Sequence, residues 1–164
     1  MAQSLANRLA SGAAAGLGGT IALRGIMAAN HRLLPETKAP IRGDPAVFMV
    51  QQARSVLPPG TRARIPGGLQ TTVEKALGPG YGMTFGLLYG LLAPRHQRIA
   101  GGALLGVAAW AAGYLGWLPA TGLMPPVTEQ RPGQVVAPLF NHLLFGIGTV
   151  ALYALLRGRT SARR

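Results

Sequence analysis

Residues 99–118 read IAGGALLGVAAWAAGYLGWL, twenty positions without one charged side chain. As an α-helix, a run of that length is about 30 Å long, the hydrocarbon thickness of a bilayer. Lipid offers no water to bare backbone groups, so a single stretch of this kind crosses as a helix. Working outward, three further apolar runs have comparable length, at about 9–29, 76–93 and 138–156. The reading is an all-α integral membrane bundle of four transmembrane helices, a single membrane domain over residues 1–164.

Composition supports it. The chain is 49% hydrophobic and 12% charged, the latter about half the share in an average soluble domain. Its 24 glycines suit lipid-buried helices, and most of its 13 prolines fall between the apolar runs. Cysteine is absent, which excludes disulfides and thiolate metal sites. The net charge of +12 lies in loops and tails rather than on a basic helix face interleaved with aromatics. Attraction to anionic lipid headgroups accounts for it, and nucleic acid is not an expected partner.

The first run is poor in large apolar side chains and contains Arg24, about a turn and a half from Asn30, so the long stem should carry the guanidinium to the interface. A cleaved signal peptide is the alternative for this run. In the connection that follows, Asp44-Pro45 is a helix start, with a side-chain acceptor at the N-cap and proline at the first position. Ala46, Met49, Val50, Ala53 and Leu57 then recur at helical spacing up to Pro58-Pro59, predicting a short amphipathic helix. It would lie in the interface or cap the bundle.

Gly78, Gly82, Gly86 and Gly90 fall four apart and share a helix face. Gly102, Gly106 and Gly113 make a second small-residue face, and Gly146 lies on a face of the last run with His142, Thr149 and Tyr153. Helices in lipid associate through close backbone approach, which small residues permit. These rows therefore predict helix packing, either within the chain or against a second copy. Pro79 should kink its helix, Trp117 suits the interfacial belt, and residues 94–98 form a tight basic connection.

From Gly78 onward the chain resembles the YagU-like family of small bacterial inner-membrane proteins, whose function is unknown. The resemblance rests on Gly80-Tyr81-Gly82 with Phe85-Gly86 and Tyr89-Gly90. It rests also on the stretch from Tyr114 through Trp117, Pro119 and Gly122 to Pro125-Pro126, and on Asn141-His142 with Gly146. That family's pattern also carries a histidine just before Gly-Tyr-Gly, where this chain has Gly78 and Pro79. The resemblance implies a four-span bundle in the bacterial inner membrane and adds no activity.

Arg24, Tyr114 and His142 are polar at membrane depth, and such residues mark functional sites or helix contacts. His142 and His31 are the candidates for holding a cofactor. Three roles are open to His142: a hydrogen bond to a carbonyl or tyrosine that fixes register, a part in proton or solute movement, or ligation of a metal or tetrapyrrole. The only acids are Glu36, Asp44, Glu74 and Glu129, all in connections, and no catalytic motif, metal-ligand spacing or cofactor signature is present. The functional expectation is a non-enzymatic structural or accessory membrane module. Its alternatives are a small transporter or channel component with His142 in the pathway, or a cofactor-binding subunit of a larger complex. Seven basic residues (Arg8, Arg95, Arg98, Arg157, Arg159, Arg163 and Arg164) lie in short segments beside the membrane, whereas eight on the other side are diluted through long loops with all four acids, so both termini are expected in the cytoplasm.

Overall fold

The computed structural model describes residues 4–92 and 99–162, and every regular element among them is helical. Helix α1 spans Leu5–Leu33, and its start is fixed by Ser4, whose hydroxyl accepts from Asn7 N at 3.3 Å. A 3-10 turn, Pro35–Thr37, follows. Helix α2, Pro45–Ser55, begins as the sequence reads: Asp44 Oδ1 accepts from Ala46 N at 2.8 Å. The proline pair does not simply stop it, because Pro59 opens a short helix α3, Pro59–Ala63. Helix α4, Gly67–Leu92, starts well before the apolar run and passes Pro79 without interruption. Helix α5, Ile99–Ala111, continues through a π turn, Ala112–Trp117, into α6, Leu118–Ala120. After a 3-10 turn at Val127–Glu129, α7 runs Pro132–Ala162, into the basic tail. The expected tight connection at 94–98 lies outside the described residues.

Three of these helices are long and apolar enough to cross a membrane: Leu5–Leu33, Ile99–Ala120 and Pro132–Arg157. Helix α4 is equally long, but Lys75, Pro79 and five glycines from Gly78 to Gly90 dilute its apolar content. Its glycines explain where it goes. A Cβ built on Gly86 would run into Gly12 O, and one built on Gly12 into Gly86 O. Gly16 and Gly82 answer each other in the same way, and a Cβ on Gly90 would lie 2.6 Å from Arg8 O. The glycine hydrogen occupies that direction instead, aimed at a carbonyl of the opposing helix. Such Cα–H···O contacts contribute about 0.5–1 kcal/mol each. As the α1 numbers rise the α4 numbers fall, so the pair is antiparallel.

Helices α5 and α7 repeat the device. A Cβ on Gly102 would lie 2.7 Å from Ile147 Cα, one on Gly106 2.9 Å from Leu143 Cα, and one on Gly146 2.8 Å from Gly106 Cα. The partner of each glycine row is thus in the same chain. Two members of the expected faces behave differently. Gly78 meets the Arg24 guanidinium, with Nη2 2.5 Å from where its Cβ would stand. The α1 positions that answer the row are Gly12, Gly16, Thr20 and Arg24, and the last is too long for backbone contact. Gly113 meets only a Leu118 methyl at 3.8 Å, because the π turn carries it off the α5 face.

The two pairs join along α1 and α7, where Gly19 faces Thr149 and Phe145, and Ala15, Val150, Tyr153 and Tyr89 form a buried cluster. Contact between α4 and α5 is lighter and includes Tyr81 Oη donating to Ala109 O at 3.1 Å. Consecutive long helices are therefore neighbours in an up-and-down arrangement, which puts Ser4 and Ala162 at one end. At the other end the connections before α4 and before α7 fold together into a cap. Arg42 N donates to Leu123 O at 2.8 Å, and Tyr114, Leu118, Leu123 and Met124 are buried with Ile41, Phe48 and Trp117 packed against them.

Gly86→Leu should lower folded yield in detergent sharply, with a loss on the order of 1–3 kcal/mol from overpacking, and Gly146→Leu should do the same. Leu87→Ala removes an outward-facing side chain and should be tolerated. Equal tolerance of all three would show that the glycine contacts do not hold the helices.

Candidate functional site

The polar groups inside the bundle fall into two tiers along α7. The tier beneath the cap contains His142. Pro138 sits buried within α7 and has no N–H to donate, but its carbonyl is intact. That carbonyl accepts from His142 Nδ1 at 2.8 Å, one turn along the same helix. A carbonyl only accepts, so in the neutral ring Nδ1 carries the proton and Nε2 keeps its lone pair. The imidazole meets the Tyr114 ring edge-on at 6.2 Å between centroids, and Trp110 stacks on Tyr114 at 5.7 Å. Tyr114 reaches this position from the π turn, where Gly116 leaves helical geometry with φ −97° and ψ −110°. Turns of this kind re-aim side chains and recur at functional sites.

The expected register-fixing partner of His142 is therefore a carbonyl of its own helix. The bond that does join two helices belongs to its neighbour: Asn30 Nδ2 donates to Asn141 Oδ1 at 2.7 Å, and Asn141 is only 4% exposed. Sequence reading places Asn30 at a helix end and gives Asn141 no role. Two asparagines in otherwise apolar runs were the available signal, because a buried amide in lipid must find a partner.

The second tier lies nearer the chain ends. Thr149 and Tyr153 are 0% exposed and Tyr89 is 7% exposed, and their three hydroxyls have no hydrogen-bond partner among the described residues. The Tyr89 and Tyr153 rings meet edge-on at 5.3 Å, with the Arg157 guanidinium 5.5 Å from the Tyr153 ring centre. Seven residues separate His142 from Thr149, about 10 Å along the helix axis, and buried Phe145 and Gly146 fill the interval. The stripe expected from spacing exists on α7, yet its polar members do not form one continuous chain of groups.

Arg24 is exposed and reaches across to α4 at Gly78. His31 is half-buried in the last turn of α1, and no hydrogen bond or ring contact joins it to His142 among the described residues. No group of three His, Asp or Glu able to hold a metal lies together among those residues. Chemically, the upper tier offers one oriented imidazole lone pair beside a tyrosine edge and an amide pair that locks α1 to α7.

Asn141→Leu should lower the thermal stability in detergent by on the order of 1 kcal/mol, because it strands the Asn30 amide. The double change Asn30→Leu with Asn141→Leu should recover part of that loss. His142→Gln should cost less than Asn141→Leu, since Pro138 O retains its place in the helix ladder. The opposite ranking would make the imidazole, not the amide pair, the element that fixes register. No protein-family model matches the chain, nor does any curated protein or solved structure, so the roles assigned to these residues rest on their geometry.

Proposed function

We propose that the protein is a four-span module of a bacterial inner membrane that holds an ordered cap at one face of the bilayer for a partner, and that it catalyses no reaction itself. One observation carries this reading: the two long connections, otherwise free to wander, are fastened to each other and to the helix ends. The Arg42–Leu123 backbone bond and the cluster around Met124, 1% exposed, make the cap a packed unit. Loops of this length acquire packed cores where their shape matters. Supporting α4 as the fourth crossing, its glycines from Gly82 to Gly90 lie against the N-terminal half of α1, from Thr20 back to Arg8, at the same depth. The arginines near the chain ends favour a cytoplasmic position for both termini, which puts the cap outside. Resemblance to the YagU-like family points to the same membrane and the same span count. A second copy of this chain is one partner that the reading admits, and a larger membrane complex is another.

A transporter or channel component is the second reading, favoured by the partnerless hydroxyls of Tyr89, Thr149 and Tyr153. Buried polar groups of this kind usually hold water. Phe145, between the two tiers, stands against it.

Reporter fusions after Gln97 and at the C-terminus should both report cytoplasm, and one at Thr61 should report the outside. Agreement between the Thr61 and C-terminal fusions would remove the four-span reading. Purification in mild detergent should yield a colourless protein with stoichiometric companions or as a homo-oligomer. A coloured preparation would instead favour a cofactor-binding subunit. A lone monomer with pH-dependent solute flux that His142→Gln abolishes would favour transport.

A further inference from the structure

We infer that Arg54 and Arg62 form a site for a phosphate group on the side of the cap. A shallow cleft of about 290 Å³ is lined there by Gln51, Arg54, Ser55 and Arg62. Both guanidiniums are half-buried and held in place. Arg62 Nη2 donates to Ser55 O at 2.8 Å and to Leu57 O at 3.2 Å, closing the end of α2. Arg54 Nη1 donates to Gln70 Oε1 on α4. Each Nε is buried without a partner and closed to the cleft, so the donors open to an occupant are Arg54 Nη2 and Arg62 Nη1, which have no protein acceptor among the described residues. Two cations thus share one cleft with donors to spare and, among the described residues, no carboxylate in contact. The nearest, Glu74, accepts from Gln70 Nε2 at 2.9 Å and reaches Arg54 only through that amide. Ser55 Oγ is committed to Gln52 O at 2.8 Å, so recognition falls to the arginines and the Gln51 amide. Fixed guanidiniums that present unused N–H groups are suited to the oxygens of a phosphate.

The position favours a phospholipid headgroup as the source of that phosphate, a step that rests on α4 crossing the bilayer. Gln70 lies six residues before Ala76, where the apolar run of α4 begins, or about 9 Å along the axis. A headgroup layer is roughly 5–8 Å deep on each side of the hydrocarbon. Beside the cleft, Val56 is 81% exposed and Leu69 54%, which gives an acyl chain apolar surface next to the cations.

The test uses the full chain purified in a zwitterionic detergent, with thermal unfolding as the readout. Phosphatidylglycerol, phosphatidylcholine or inorganic phosphate is added at constant ionic strength, to wild type and to Arg54→Gln, Arg62→Lys and Arg64→Gln. Wild type should be stabilised more by phosphatidylglycerol than by phosphatidylcholine, whose quaternary ammonium offsets the charge of the same phosphodiester. Arg54→Gln should weaken the apparent affinity roughly tenfold, Arg62→Lys should weaken it by less, and exposed Arg64→Gln should leave it unchanged. Arg54→Gln spares the α2 closure made by Arg62, so it reports on the site without unfolding the cap. Stabilisation by inorganic phosphate alone, lost in Arg54→Gln, would support the same site with a soluble occupant. Equal responses of wild type and Arg54→Gln to every additive would overturn the proposal. Binding in micelles does not depend on how many helices cross, whereas the Thr61 fusion does, so the two ideas fail separately.

Discussion

Glycine Cα–H groups aimed at carbonyls across the helix interface set the spacing on which the remaining contacts depend. At Gly12 with Gly86, Gly16 with Gly82, and Gly102 with Gly146 the relation is reciprocal, each backbone filling the space that a side chain would need. In lipid the hydrophobic effect does little to press one helix on another, so this close approach supplies the attraction through dispersion and weak Cα–H···O bonds. Other features of the bundle follow from it. Thr20 folds its hydroxyl back onto Gly16 O at 2.8 Å, which lets a polar residue sit in the α1–α4 seam without an unmet donor. Where the α1 row ends in Arg24, backbone contact ends as well.

Joining the two pairs is a different problem, solved with fewer and more polar contacts. Between α1 and α7, Asn30 and Asn141 meet beneath the cap and Gly19 admits Thr149 lower down. An amide pair is strong and directional, so it can choose one rotation of α7 against α1. The cost is that α7 carries a polar stripe through an apolar interior. At its upper end the stripe is satisfied by Asn30 and the Pro138 carbonyl, and at its lower end the hydroxyls of Thr149 and Tyr153, with that of Tyr89 from α4, have no partner among the described residues.

The cap depends on the bundle in turn. The π turn at Ala112–Trp117 shifts Tyr114 and Trp117 off the α5 face, and Leu118, Leu123 and Met124 then collect Ile41 and Phe48 from the earlier connection. With α2 fixed over the start of α4, Arg54 and Arg62 are brought within one cleft although eight positions separate them. A loop-rich surface thereby becomes a shaped one.

Much of this architecture was legible in the sequence, and for local reasons. Length and hydropathy mark three of the long helices, because a backbone in lipid has few other ways to close its hydrogen bonds. Asp44-Pro45 marks the start of α2, because capping is decided within four residues. The four-residue spacing of Gly82, Gly86 and Gly90 marks a packing face, because helical periodicity is local too. Which helix would answer that face was not legible: Gly12 and Gly16 look like weakness in a marginal run until α4 is laid against them. His142 stood out as a lone ionisable ring, yet the bond between helices belongs to Asn141, since pairing with Asn30 depends on the antiparallel register of helices 111 residues apart in sequence. Arg54 and Arg62 are nearer in sequence, brought together by the turn from α2 into α3 that Arg62 closes on Ser55 O and Leu57 O, while Arg54 is held by Gln70 of α4. Spacing along the chain determines which face a residue occupies, and only the packing of whole helices decides what that face meets.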